Sequence, residues 1–233
     1  MKNIFFCPEE SNFYSNCLET FVLKNCRNSE SIVEFGSGDG SPMINSLLKN
    51  KFDAVIHGFE LNTSAWKLAN SKIDEYNLAH KYRISNSCLF NASKPNAEYL
   101  VANPPYLPAP DSDIYMPLLF GGVDGATVTN NLLSLDYENV LVLVSSFSNP
   151  TSTINKAEQN NYSVQNFMVL PLKFGYYSSE PKVKKYIESL RKKKMAFYSK
   201  DYYFLAGVLF KKCQVATINL SNELAQVMTS LSN

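Results

Sequence analysis

The run Glu34-Phe35-Gly36-Ser37-Gly38-Asp39-Gly40 constrains this 233-residue chain more than any other stretch. It continues the apolar segment Ser31-Ile32-Val33, which reads as a strand. It also opens a helix-type pattern from Ser41 to Lys49, with Ile44, Leu47 and Leu48 facing inward. Glycines at the end of a strand let the main chain turn sharply and let a ligand come close to it; in an open α/β sheet that carboxyl-end crevice is where ligands bind. A nicotinamide-type fingerprint would need its last glycine at Ser41, and a phosphate loop would need a lysine after the turn, so neither pattern is met. What is left is acidic-x-Gly-x-Gly-x-Gly. Its carboxylates, Glu34 and Asp39, suit a cationic ligand better than a pyrophosphate. Twenty residues past Gly40, a second strand ends in Glu60, where a carboxylate can accept two hydrogen bonds from a ribose diol.

The rest of the chain alternates strands and helices. An amphipathic helix is expected over 11–25, where Phe13, Cys17 and Phe21 recur every fourth residue. Strands follow at 31–35, 53–60, 81–84, 99–102, 140–145, 165–174 and 202–210, with helices near 41–49, 64–77 and 127–135. The run Val140-Leu141-Val142-Leu143-Val144-Ser145 is apolar throughout, as a strand covered on both faces is. This order implies a seven-stranded, mostly parallel, doubly wound α/β sheet. With no repeat or low-complexity linker, residues 1–233 read as one domain.

Beyond the fourth strand comes Asn103-Pro104-Pro105-Tyr106. A planar NH2 group, whether an amide or an exocyclic amine, is a poor nucleophile because its lone pair is delocalised. Two acceptors on its N–H groups push electron density back to nitrogen. The Asn103 side-chain oxygen and the Pro104 carbonyl can be that pair, stiffened by Pro104 and Pro105, with Tyr106 offering a flat face for stacking.

These residues resemble the S-adenosylmethionine-dependent methyltransferases of the Rossmann-like class, and the Asn-Pro-Pro-Tyr motif resembles those that methylate amino groups. The resemblance implies that Gly36, Gly38 and Gly40 lie under the methionine part of the cofactor and that Glu60, with Leu61 beside it, holds the ribose. Glu34 or Asp39 would orient the amino group. Where the family often carries an Asp after the third strand, this chain reads Asn86-Ser87-Cys88-Leu89-Phe90, so Ser87, Cys88 and Leu89 are expected on the adenine side, with Ser87 or a backbone carbonyl in place of the acid and Leu89 or Phe90 packing on the ring. Asn103 would serve both cofactor and acceptor, with Pro104 and Tyr106 completing the catalytic loop. Phe120-Gly121-Gly122-Val123-Asp124-Gly125 resembles the Gly-Gly-x-Asp-Gly stretch of the HemK-like glutamine methyltransferases of release factors, and Cys7-Pro8-Glu9-Glu10-Ser11 resembles their Pro–acid–Ser/Thr segment. The Glu-Pro that precedes the glycine stretch in those enzymes is not matched; Met116-Pro117 is the nearest local sequence.

Two acceptors stay open on this reading: a glutamine side-chain amide of a release-factor-like protein, and the amino group of adenine or guanine in RNA or DNA. A third possibility is a subunit that binds the cofactor as a scaffold. The net charge of +1 gives no whole-molecule attraction to nucleic acid, so any anionic partner needs a local patch. One exists at 182–194, inside an expected helical insertion at about 176–200 between the last two strands, where seven basic residues surround an apolar stripe of Val183, Tyr186, Ile187 and Leu190. Nearby Tyr176, Tyr177, Phe197, Tyr198, Tyr202 and Tyr203 are aromatic enough to stack bases. Five cysteines without a C-x-x-C pair and two isolated histidines, His57 and His80, point to no metal site or disulfide framework. Without an apolar run long enough to span a bilayer, with an apolar stretch at the start too short for a signal peptide, and with cysteines that read as reduced thiols, a cytoplasmic protein is expected.

Overall fold

The computed structural model describes residues 4–26, 30–49, 52, 55–213 and 218–231. Seven strands lie in one mixed sheet with the order β3-β2-β1-β4-β5-β7-β6. They are β1 (Ile32–Phe35), β2 (Ile56–Phe59), β3 (Tyr82–Ser85), β4 (Tyr99–Ala102), β5 (Asn139–Ser145), β6 (Tyr162–Lys173) and β7 (Tyr202–Lys212). Asp53 and Ala54, which the sequence places at the start of the second strand, lie outside the described residues. The chain divides into two compact units: residues 1–103 with 137–141, and residues 104–136 with 142–233.

In the first unit, β1 pairs in parallel with β2 and β4, and β2 with β3. Helices α1 (Pro8–Cys17), α2 (Ser41–Lys49) and α3 (Thr63–Glu75) belong to it. The α-helix expected over 11–25 is shorter and starts earlier, at Pro8 in its first turn. Beyond Cys17 the chain widens into a π-helical segment, Leu18–Leu23, with Lys24 N–H donating to Glu19 O five residues back. The wider turn lets Leu18, Phe21, Val22 and Leu23 all be buried, which one stripe of an α-helix would not allow. Helix α3 starts at an Asn62 cap whose side chain accepts from Ser64 and Ala65 N–H.

In the second unit, β6 and β7 form a long antiparallel pair, from Tyr162↔Lys212 to Lys173↔Tyr202, with a bulge between Val164 and Asn166. The expected insertion between them is present, and its regular part is α6 (Pro181–Lys192). Its buried residues are Val183, Ile187 and Leu190. Helices α4 (Thr127–Leu133), α5 (Pro150–Gln159) and α7 (Ser221–Thr229) complete the unit. Sequence reading missed α5 and α7, both short helices. The first carries a clear start signal, Asn149 capping Ser152 N–H with Pro150 in the first turn. Every residue of β5 is buried, as its unbroken apolar run predicts.

Candidate active site

Register alone assembles one edge of the site. Phe35 is the Cα partner of both Phe59 and Ala102, and Phe59 is the partner of Ser85. The next residue on each strand therefore stands in one row at the carboxyl ends of β3, β2, β1 and β4: Asn86, Glu60, Gly36 and Asn103. Three of these four are residues expected from sequence. Asn86 is an addition, and its side chain ties the row together by donating to Glu60 O at 2.8 Å and accepting from Thr63 Oγ1 at 2.9 Å.

Most of the main-chain donors of the glycine loop are used within the protein, while the Ser37 hydroxyl is buried with no hydrogen-bond partner among the described residues. Gly36 and Ser37 N–H donate to Phe59 O, Gly38 N–H to a Glu60 carboxylate oxygen at 2.7 Å, and Gly40 N–H to Ser37 O. All three glycines have positive φ, +68°, +58° and +74°. A Cβ added to Gly36 or Gly38 would meet nothing within 4 Å. The loop thus presents a bare main-chain surface on which the N–H groups of Gly36, Ser37, Gly38 and Gly40 are already used, unlike a phosphate cradle. Gly58 in β2 makes room for the loop, since a Cβ there would collide with Ser37 Oγ.

The three carboxylates have separate employments. Glu34 is buried, and its two oxygens accept from Tyr14 at 3.4 Å and, in a very short contact, from Tyr82. Burial pushes its carboxyl up to about 7, against the opposing effect of the hydroxyl donors. Asp39 is also desolvated, but the Lys72 ammonium at 2.5 Å and the Ser41 N–H and hydroxyl outweigh that and hold it below the usual carboxylate range. In this arrangement, both acids expected near the methionine amino group are engaged by protein. Glu60 is buried, which raises its pKa despite hydrogen bonds from Asn62 and Gly38 N–H. Each of its oxygens accepts one of those bonds, and a carboxylate has about four acceptor positions, so a diol can still be held.

Of the residues expected beside the adenine and ribose, Leu89 is buried and Cys88 half-buried, while Ser87 and Leu61 are exposed. Phe90, exposed as well, rests on Phe35 with ring centroids 5.3 Å apart. At Asn103 the side-chain Oδ1 is buried and has no hydrogen-bond partner among the described residues, a state it shares with Ser37 Oγ of the glycine loop. A buried acceptor left unpaired costs about 1–3 kcal/mol, so its persistence calls for an explanation in function.

The second unit holds Pro104, Pro105 and Tyr106, and here the two sequence motifs meet. A Cβ on Gly121 would lie 2.6 Å from Tyr106 Cα and 2.8 Å from Pro105 O, and one on Gly125 would lie 2.6 Å from Tyr106 O. Gly121 N–H donates to Leu107 O, Leu107 N–H donates to Leu119 O, and Ser148 Oγ donates to Tyr106 O at 2.6 Å. Asp124 accepts from Ala126 N–H and from Asn149 Nδ2. The Gly-Gly-x-Asp-Gly stretch is therefore the seat of the loop that begins at Pro104. The Tyr106 ring is buried against Phe147 at 5.7 Å, and its hydroxyl meets that of Tyr203 at 3.5 Å. Buried on this face, Tyr106 is in the first place a packing residue of its loop.

No protein-family model matches the sequence, and no curated protein sequence matches it. Solved structures do. M. jannaschii TYW2 in complex with AdoMet aligns with a TM-score of 0.53 over 90% of this chain and 78% of its own, at 12% identity. A SAM-dependent methyltransferase from Geobacter sulfurreducens in complex with S-adenosyl-L-homocysteine aligns at 0.53 over 89% and 92%, at 12% identity. The [4+2]-cyclase SpnF aligns at 0.54 over 87% and 80%, also at 12% identity. The fold is thus the Rossmann-like fold of SAM-dependent methyltransferases, a fold that SpnF shows can carry other chemistry.

Proposed function

We propose that this chain is a methyltransferase that uses S-adenosylmethionine to methylate a planar NH2 nitrogen. The observation that carries the reading is the row Asn86, Glu60, Gly36 and Asn103 with the buried, unpartnered Asn103 Oδ1 in it. When bound, the cofactor supplies a methyl group on a positively charged sulfur, which needs positioning more than acid–base help. Gly36 and Gly38 give it a surface free of side chains, Glu60 accepts from the ribose hydroxyls, and Leu61, Ser87, Cys88 and Leu89 border the base. Asp39, paired with Lys72, caps the start of α2 and fixes the loop. Glu34 supports the same loop from below through Tyr14 and Tyr82.

Asn103 Oδ1 accepts one N–H of the acceptor nitrogen, and the carbonyl of Pro104, next in the chain, accepts the other. The proline pair limits reorganisation at the moment of transfer. A glutamine amide, as in the HemK-like enzymes, and the amino group of a nucleobase both present the N–H pair that this arrangement takes.

Isothermal titration with S-adenosylmethionine separates the two roles. Gly38→Arg fills the open face of the loop and abolishes binding, whereas Asn103→Ala binds normally but transfers labelled methyl at least ~100-fold more slowly, the usual scale for losing one oriented polar group. Normal transfer by Asn103→Ala would overturn the assignment.

A further inference from the structure

Among the aromatic residues near the insertion, burial sorts core from surface. Tyr203 and Phe147 are buried, whereas Tyr176 is 71% exposed and Tyr115 is 58% exposed. These two exposed tyrosines are partners, with ring centroids 5.6 Å apart, and Tyr177 stands edge-on to Tyr176 at 5.3 Å. Large aromatic rings left together in water are unusual for a surface that binds nothing.

They are also held in place. Tyr115 N–H donates to Glu180 Oε2 at 2.7 Å, and Glu180, the cap residue of α6, is buried. Lys182, in the first turn of α6, contacts Asp111 and donates to Asp113 O at 2.7 Å, pinning the loop that carries Tyr115. Tyr176 sits in a tight turn in which Ser179 N–H donates to Gly175 O and Ser178 Oγ accepts from Gly175 N–H. Rings fixed in advance lose little freedom when a flat group stacks on them.

Around Tyr115 stand Asp111, Asp113 and Glu180, but α6 beside the rings is mostly basic. From Pro181 to Lys194 there are seven basic residues and a single acid, Glu188. Lys182 is spent on Asp111 and Asp113, and Arg191 lies over the Tyr198 ring at 4.5 Å. Lys184, Lys185, Lys192, Lys193 and Lys194 are exposed, and none of them has an ion-pair partner among the described residues. Lys184 and Lys185 stand four and five residues past Glu180, about 6–8 Å along the helix axis from the residue that anchors Tyr115. Preset rings next to free ammonium groups match a polyanion with exposed flat faces.

We infer that the Tyr115–Tyr176 pair and the lysines of α6 form a binding surface for single-stranded nucleic acid, the rings stacking unpaired bases and Lys184 and Lys185 meeting phosphates. A duplex hides its base faces and an acidic peptide has none, so neither uses the rings. Combined with the transferase reading above, on which this step rests, the surface selects a nucleobase amino group as the methyl acceptor over a glutamine amide.

Binding is measurable without cofactor, by fluorescence anisotropy of the full chain with labelled 15-nucleotide oligouridylate, oligothymidylate and a 15-base-pair duplex, with polyglutamate as competitor. One or both single strands bind more tightly than the duplex, and the better of the two tells RNA from DNA. Tyr115→Ala/Tyr176→Ala weakens single-strand binding at least about fivefold with an unchanged salt slope, whereas Tyr115→Phe/Tyr176→Phe retains it. Lys184→Ala/Lys185→Ala lowers the slope of log affinity against log salt by about 0.7 for each lost phosphate contact. No single-strand binding, an alanine pair that binds like the parent, or displacement by polyglutamate as readily as by oligouridylate overturns the proposal. Failure of S-adenosylmethionine to bind would sink the transferase reading and leave this binding result standing.

Discussion

The two glycine clusters look alike in sequence and do opposite work. In the first unit, Gly36 and Gly38 have open space where a side chain would go. In the second, a Cβ on Gly121 would lie within 3 Å of main-chain atoms of Pro105 and Tyr106, and one on Gly125 within 3 Å of Tyr106 O. On the proposed function, the first cluster uses glycine to keep side chains away from the cofactor, whereas the second uses it to let protein touch protein. The same contrast extends to the polar groups. Glu34, Asp39 and Glu60 all have protein partners, whereas Asn103 Oδ1 has none among the described residues. Chemistry is therefore expected where a group is left over, and rigidity where groups are paired.

The sharpest way to break this comparison is Asn103→Ala. Removing this unpaired acceptor costs roughly 10²–10³ in methyl transfer while leaving thermal stability unchanged or slightly higher, because no hydrogen bond of its oxygen with the described residues is lost. A drop in melting temperature with activity retained would show the oxygen to be structural. Next comes the buried acid. Glu34 binds a proton more readily folded than unfolded, its carboxyl being raised to about 7 from an ordinary 4.5. Between those values the native state holds more protons, so stability falls as pH rises through that window and levels off above it. The span is on the order of 3 kcal/mol at most. Glu34→Gln removes the slope, which chemical denaturation at pH 5 and pH 8 measures; an equal slope in both proteins rules out Glu34 as its source.

Much of the first half of the site was legible beforehand because its signals are local. The strand that runs into Gly36-Ser37-Gly38, the acid at the end of β2 and the asparagine at the end of β4 each sit at a strand terminus, and parallel register brings termini together without further instruction. What sequence could not reveal are partnerships across long separations. Tyr14 and Tyr82 reach Glu34 from 20 residues before and 48 after, and Lys72 reaches Asp39 across 33. Each is a common residue in an ordinary helix or strand, with nothing nearby to mark it. Ser148, which holds Tyr106 O from 42 residues away, is equally silent. Gly58 did carry a signal, since glycine inside a strand marks close approach.

The comparison of clusters is tested on the packing side by Gly121→Ala. Its Cβ would sit 2.6 Å from Tyr106 Cα and 2.7 Å from Gly125 O, both main-chain atoms that cannot swing aside. Overpacking of this kind costs typically 1–3 kcal/mol. Transfer falls with it, because the loop that moves carries Pro104.

Of the two glycine changes, Gly38→Ala has the smaller effect on stability and discriminates best. Its φ of +58° strains an alanine by about 1 kcal/mol, and no steric penalty adds to that, since the space beside it is empty. The methyl does occupy the surface that the cofactor is to lie on. Stability and cofactor affinity thus respond in opposite proportion at the two glycines: a small loss of stability and a large loss of affinity at Gly38, a large loss of stability at Gly121. Urea titration and isothermal titration of the same two variants read both quantities. Equal losses of stability at the two positions would mean that the first loop is packed as tightly as the second, and the division of labour between the clusters would fall.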